Sequence, residues 1–169
     1  MSKAVIALGS NIGDRLQFLK KAVDYIKLLG NISTISPLYD TSPYGFTEQP
    51  NFLNAVLLLD TSLSATDLLY HLKKIEKNVG RKNRMRWGPR EIDLDIILYD
   101  EMEIHTTSLT IPHPDFSQRI FVLRPLVDVA PNLKIPRSQE TIQEILNKCQ
   151  DKTIIQLINR EWYGNGAKV

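Results

Sequence analysis

Asp93 and Asp95 stand two residues apart in the apolar run "IDLDIILYD" (residues 92–100), directly after the basic stretch "GRKNRMRWGPR" (80–90). In a strand, residues i and i+2 share a face and lie roughly 7 Å apart. Two carboxylates that close repel unless a cation lies between them. Hard oxygen donors favour Mg²⁺ or Mn²⁺, ions that keep several waters and take phosphate oxygens from a substrate. A pair of such ions about 4 Å apart fits between the carboxylates and a polyphosphate. An arbitrary D-x-D is more often a solvated strand face. Here Arg81, Lys82, Arg84 and Arg86 shift the balance, because a metal with several arginines is what a polyphosphate requires.

A second group lies in "TSPYGFTEQPNFLNA" (41–55). Phe52 and Asn54 alternate on a strand and so share a face. The ring can stack on a flat ligand while the amide, donor and acceptor together, pairs with a heteroaromatic edge. Taken alone, a strand Phe is more often core, and His113 between two prolines is more often structural. "GSNIGD" (9–14) sits between a strand and a helix but lacks the ending of a phosphate loop and the spacing of a dinucleotide fingerprint. It reads as a tight turn with Asn11 or Asp14 capping the helix, and it takes no phosphate role.

The elements that must position these residues follow from periodicity. "KAVIAL" (3–8) is a buried strand, and helical spacing runs from Asp14 to a stop at Gly30. "ISTISPLY" (32–39) is a second strand whose Pro37 suggests an edge or bend. Residues 41–51 form a long loop, and "FLNAVLLLD" (52–60) is a third strand. Ser64 opens a helix that Gly80 ends. The basic loop 81–91 leads to the strand 92–100. The order β-α-β-β-α-β is that of an α+β, ferredoxin-like core: an antiparallel sheet with helices packed on one face. C-terminal additions follow, with short helices expected over 138–148 and 151–159 and a frayed tail from about residue 160.

Composition narrows the function classes. The 169 residues suffice for one domain with a real core, read as residues 1–169. A net charge of +2 gives no bulk argument for nucleic acid or membrane. The charge is local: residues 73–90 hold eight Lys and Arg against the single acid Glu76. Cys149 is the only cysteine, which excludes an internal disulfide and a thiolate zinc site. His71, His105 and His113 have no metal-motif spacing. With no secretory signal and no membrane span in view, a cytoplasmic setting is expected.

The strings "SPYGFTEQPNFLNA", "GRKNRMRWGPREIDLDIILY" and "LTIPHPDFSQRIFVLRPL", with "ALGSN" near the start, resemble the 6-hydroxymethyl-7,8-dihydropterin pyrophosphokinase family of folate synthesis. The resemblance runs in order from about Ala4 to Leu126. It implies transfer of the pyrophosphoryl group of ATP to the pterin hydroxymethyl group, with AMP released and two Mg²⁺ ions required. By the same resemblance Asp93 and Asp95 are metal ligands, and Arg81 and Arg90 act with them on the phosphates. Pterin contacts are implied for Ser42, Pro43, Tyr44, Phe52, Asn54, Trp87 and Phe121, with Phe52 and Phe121 on the two ring faces. ATP contacts are implied for Lys73, Glu76, Arg84, Arg90, Ile96, Thr110, His113 and Arg119. Lys73 stands where members often carry Gln, Phe52 where some carry Tyr, Ser108 where some carry Arg, and Pro114 where an aromatic is found.

Small-molecule substrates acting on a monomer, with neither nucleic acid nor membrane, are the partners this implies. Residues 43–51 and 81–91 are expected to close over the site when both substrates bind. The competing reading is an RNA-binding or partner-binding module that uses residues 73–90. That reading predicts a steep salt dependence of nucleic-acid affinity and indifference to the loss of Asp93 and Asp95.

Overall fold

The computed structural model describes residues 1–45 and 47–164. The chain runs β1 (Ser2–Ser10), α1 (Arg15–Ile26), β2 (Asn31–Ile35), β3 (Leu38–Thr41), β4 (Phe52–Thr61), α2 (Ala65–Val79) and β5 (Asp93–Tyr99). A small hairpin of β6 (Ile104–His105) and β7 (Thr110–Ile111) follows, then α3 (Ile120–Val129), α4 (Ile142–Lys148) and β8 (Ile155–Asn159). The main sheet has the order β5-β1-β4-β3-β8, with β2 also on β4, and every pair is antiparallel. Its first ninety-nine residues realise the expected ferredoxin-like core.

Local chemistry accounts for the boundaries. The Asp14 side chain accepts from the Gln17 N–H, so Asp14, not Asn11, caps α1. Ser64 caps α2 by accepting from the Asp67 N–H at 3.1 Å. Gly30 turns the chain where a Cβ would lie 2.2 Å from the Asp60 carbonyl oxygen, an approach open only to glycine. The single strand expected over 32–39 is two strands, broken at Ser36-Pro37. Ser36 bridges the break: its N–H donates to the Val56 carbonyl at 2.8 Å and its Oγ accepts from the Val56 N–H at 2.9 Å.

Both faces of the sheet are covered, which corrects the one-face expectation. Ala4, Ile6 and Leu8 of β1 join α1 and α2 in one core. Val5 belongs with Val56, Ile97 and the apolar faces of α3 and α4 in a second core. The near-continuous apolar run of β1 reflects this double burial. Helix α3 was hidden in the sequence by Pro125, which lies inside it and is buried. The helix expected over 151–159 is instead β8, paired with β3. Its β-branched residues Ile155 and Ile158 favour a pleated surface over a helix.

The tail expectation also changes. Trp162 is 3% exposed, and its Nε1–H donates to the Ser36 carbonyl at 2.9 Å, so the chain end closes the core beside the β2–β3 break. Tyr163 is held by Asp24 and lies under Lys27. Residues 165–169 of that expected tail lie outside the described residues. No helix among the described residues is long and apolar enough to cross a membrane. Replacing Trp162 with Ala should lower the unfolding free energy by roughly 3 kcal/mol, as for other buried aromatics. Denaturant unfolding checks this; a change below about 0.5 kcal/mol, the size of a surface substitution, would mean that the chain end is undocked.

Candidate active site

The site lies where β1, β4 and β5 end together. Register places Gly9 of β1 opposite Asn54 of β4 on one side and Asp93 of β5 on the other. One step along, Ala7 faces Val56 and Asp95. A row Asn54–Gly9–Asp93 therefore crosses the sheet, and Asp95 sits beside it. Above the row a cleft is lined by Gly9, Thr41, Ser42, Tyr44, Gln49, Phe52, Asn54, Trp87, Arg90, Asp93, Asp95, Ile97, Arg119 and Phe121. Aromatic rings and an amide stand at one end, carboxylates and guanidinium groups at the other.

At the aromatic end, Phe52 comes from β4 and Phe121 from the start of α3. Tyr44 packs on Phe121 with ring centroids 5.9 Å apart, and the Arg119 guanidinium lies 5.4 Å from the Tyr44 ring and 5.8 Å from the Phe121 ring. Asn54 is buried, and its Nδ2 donates to the Thr41 Oγ1 at 2.7 Å, which fixes the amide's orientation. A Cβ at position 9 would lie 2.8 Å from the Asn54 Oδ1, so glycine makes room for that amide. Trp87 stands half exposed at the mouth, with the Arg86 guanidinium over its ring.

At the charged end, Asp93 accepts from Arg81 Nη1 and Arg90 Nη1, each at 3.1 Å. Arg81 is held in turn by the Glu76 carboxylate at 2.9 Å. Glu76 is buried and also accepts from Lys73 Nζ at 3.0 Å and the Leu94 N–H at 2.9 Å. It thus ties α2 to β5 and aims Arg81. Burial pushes the Asp95 carboxyl up to about 7, helped by the charges of Asp93 and Glu76 and opposed by Lys73 and Arg119. The buried Nε of Arg119 has no hydrogen-bond partner among the described residues, so it can donate to a ligand.

The two carboxylates fit a hard divalent cation. Both offer oxygen donors on one strand face, and Asp95 is raised by burial first and by the Asp93 charge second. Among the described residues no three His, Cys, Asp or Glu side chains gather. Two carboxylates leave the other coordination positions to water and phosphate oxygens, as Mg²⁺ prefers.

Most expected contacts converge, but several do not. Ile96 packs in the α1/α2 core, on the face opposite the aspartates, and Ile97 is the residue that lines the cleft. Strand alternation accounts for this correction. Arg84 lies against Glu91, with its Nη1 2.5 Å from both carboxylate oxygens, instead of facing the cleft. Glu91 also accepts from the Lys82 N–H, and these partners hold its carboxyl low despite burial. Pro43, Lys73, Glu76, Arg81, Thr110 and His113 do not line the cleft; Arg81 meets it only through its bond to Asp93. Burial and Arg119 keep the His113 imidazole below its usual range, and its Nδ1 accepts from the Asp115 N–H. Sequence reasoning missed Gly9, Thr41 and Gln49. The glycine of "ALGSN" was a visible signal; nothing in the sequence marked Thr41.

A ferredoxin-like sheet carrying paired carboxylates, inward guanidinium groups and a ring-lined slot defines a site for a flat ligand beside an anionic one. The model of the 7,8-dihydro-6-hydroxymethylpterin-pyrophosphokinase (HPPK) family matches residues 5–131. The 2-amino-4-hydroxy-6-hydroxymethyldihydropteridine pyrophosphokinase of Aquifex aeolicus is 43% identical over 144 residues, 85% of this chain and 90% of that protein. The protein of the same name from Bacillus subtilis is 42% identical over 144 residues, 83% of this chain and 86% of the relative. A solved Plasmodium falciparum HPPK-DHPS shares the fold with a TM-score of 0.73 at 17% identity, over 87% of this chain and 44% of that one. The chain belongs to the HPPK family.

The raised Asp95 has a consequence for stability. A carboxyl whose folded value lies above its unfolded value of 3.8 holds its proton more tightly in the fold, so stability falls as pH rises from there to about 7. Asp95→Asn removes that loss. In metal-free buffer its thermal midpoint should exceed that of the parent by several degrees at pH 8 and match it at pH 4. Equal midpoints at both pH values would contradict the strained pair.

Proposed function

We propose that this chain transfers the pyrophosphoryl group of ATP to the hydroxymethyl group of 6-hydroxymethyl-7,8-dihydropterin, forming the pterin diphosphate and AMP for folate synthesis. The observation that carries the reading is the sharing of one cleft by a ring-lined slot and a carboxylate–guanidinium pair of clusters. The reading takes residues 1–169 as one cytoplasmic, Mg²⁺-dependent enzyme unit, working as a monomer.

The pterin enters between Phe52 and Phe121. Asn54, oriented by Thr41, offers its Oδ1 over Gly9 to the donor edge of the ring. Ser42 and Tyr44 form the wall beside it. Arg90 and Arg119 reach the triphosphate, and Arg81 follows once released from Asp93. Asp93 and Asp95 would hold the metal, two ions in this reading, which when bound neutralises phosphate charge and polarises the β-phosphorus. In the ligand-free chain Arg81 and Arg90 are held on Asp93, so substrate binding exchanges a carboxylate partner for phosphate oxygens without leaving either guanidinium unpaired. Attack of the hydroxymethyl oxygen on the β-phosphorus breaks the bond to the oxygen that leaves with AMP, and the hydroxyl proton passes to solvent. The protein's task is alignment and charge stabilisation, with little covalent work of its own. Thr110, His113 and Lys73 lie outside the cleft lining and, in this reading, would meet only the outer part of the nucleotide.

The nucleic-acid reading loses its main support. Arg81, Arg84 and Arg90 are paired with Glu76, Glu91 and Asp93, so much of the basic segment is neutralised internally.

Incubation with ATP, Mg²⁺ and the pterin should yield AMP in step with pterin diphosphate, with neither ADP nor free phosphate, as followed by chromatography. Pterin-independent nucleotide turnover, or none from folded protein, would refute the reading. Asp93→Ala, Asp95→Ala and Arg90→Ala should each cut turnover at least about a hundredfold while circular dichroism stays unchanged. Lys74→Ala, on the exposed face of α2, should stay within about twofold of the parent.

A further inference from the structure

Asn11 is 1% exposed although it stands in a turn, and it does not cap α1. Its backbone N–H donates to the Arg90 carbonyl at 3.1 Å, and its Oδ1 accepts from the Arg90 N–H at 2.8 Å. Its Nδ2 donates to Gln49 Oε1 at 2.9 Å and to the Pro50 carbonyl at 3.0 Å. Gln49 Nε2 then donates to the Trp87 carbonyl at 2.9 Å. One side chain at the end of β1 therefore ties the loop before β4 to the loop before β5. The bonds divide cleanly: the amide oxygen serves the phosphate-side loop, and the amide nitrogen serves the pterin-side loop.

We propose that Asn11 is a positioning residue that couples the two walls of the cleft, setting Arg90 with its oxygen and the Gln49–Pro50 wall with its nitrogen. The proposal rests on the pterin pyrophosphokinase reading for the identity of the ligands, and on the hydrogen bonds alone for the coupling. Aspartate separates the two arms, because it keeps an acceptor for the Arg90 N–H and loses both donors. Gln49 can turn its amide to donate to that aspartate only by withdrawing its donor from Trp87. The Pro50 carbonyl has no donor to offer at all.

The test compares Asn11→Asp and Asn11→Ala with the parent by amide exchange of the ligand-free chain and by steady-state kinetics. Asn11→Asp should speed exchange at residues 47–49 and 51 about tenfold while residues 3–8 and 90–92 keep their protection. Its KM for the pterin should rise about tenfold, with kcat and the KM for ATP within about twofold. Asn11→Ala loosens both arms, so exchange at residues 90–92 speeds as well and kcat falls. Parental exchange and pterin KM in Asn11→Asp would overturn the proposal. So would faster exchange that extends through β1 together with parallel changes in kcat and both KM values, the pattern of a merely weakened fold. If Asn11→Asp does not fold, Gln49→Glu decides: faster exchange at Trp87 and Gly88, with residues 49 and 51 held, supports the strut, and no change there overturns it. Because the exchange data need no substrate, a parent without pterin-dependent AMP would refute the functional reading while leaving the coupling separately judged.

Discussion

Asp93 and Asp95 repel one another on the same face of β5, and the arginines and lysine around them limit the cost of keeping that pair. Arg81 and Arg90 hold Asp93 from two sides, while Asp95 is left with burial and its neighbour's charge, which push its carboxyl up to about 7. Buried like charges are tolerated where their relief is part of the work they do. In the proposed reading that relief would come from a divalent cation carrying phosphate oxygens. The arrangement is poised rather than satisfied, and Glu76, Lys73 and the start of β5 keep it in place from the α2 side.

The sheet and its second helical layer bring a ring-lined slot next to that pair. The antiparallel sheet sets Asn54, Gly9 and Asp93 in one row across three strands, a placement that needs no flexible element. The second helical layer supplies Phe121 and Arg119 from the start of α3 and so builds the opposite wall. The last strand has a part as well. Ile154 exchanges hydrogen bonds with Ser42, its carbonyl accepting from the Ser42 N–H and its N–H donating to the Ser42 Oγ. The far end of the sequence thereby steadies the wall of the slot.

Much of this was legible before any coordinates. Alternation along 92–100 placed both aspartates on one face, caps at Ser64 and Gly80 bounded α2, and the element order defined the ferredoxin-like core. What escaped reading has physical causes. Pro125 disguised α3, and residues 151–159 read as a short helix because β8 depends on pairing with β3, more than a hundred residues away. Arg84 lies on Glu91 in the ligand-free chain, a pairing the sequence did not show because ion pairs across a loop leave no periodic trace. The Ile96 side chain follows strand alternation into the α1/α2 core, away from the aspartates.

The strained carboxylate pair is open to direct observation by carbon-detected NMR of side-chain carboxyls during a pH titration. In the ligand-free chain the Asp95 carboxyl should titrate near pH 7. With Mg²⁺ and a non-reactive ATP analogue bound, it should fall back to about 4 or below, the ordinary aspartate range. An Asp95 that titrates near 4 in the free chain, or that ignores Mg²⁺ and the analogue, would contradict the account at its centre.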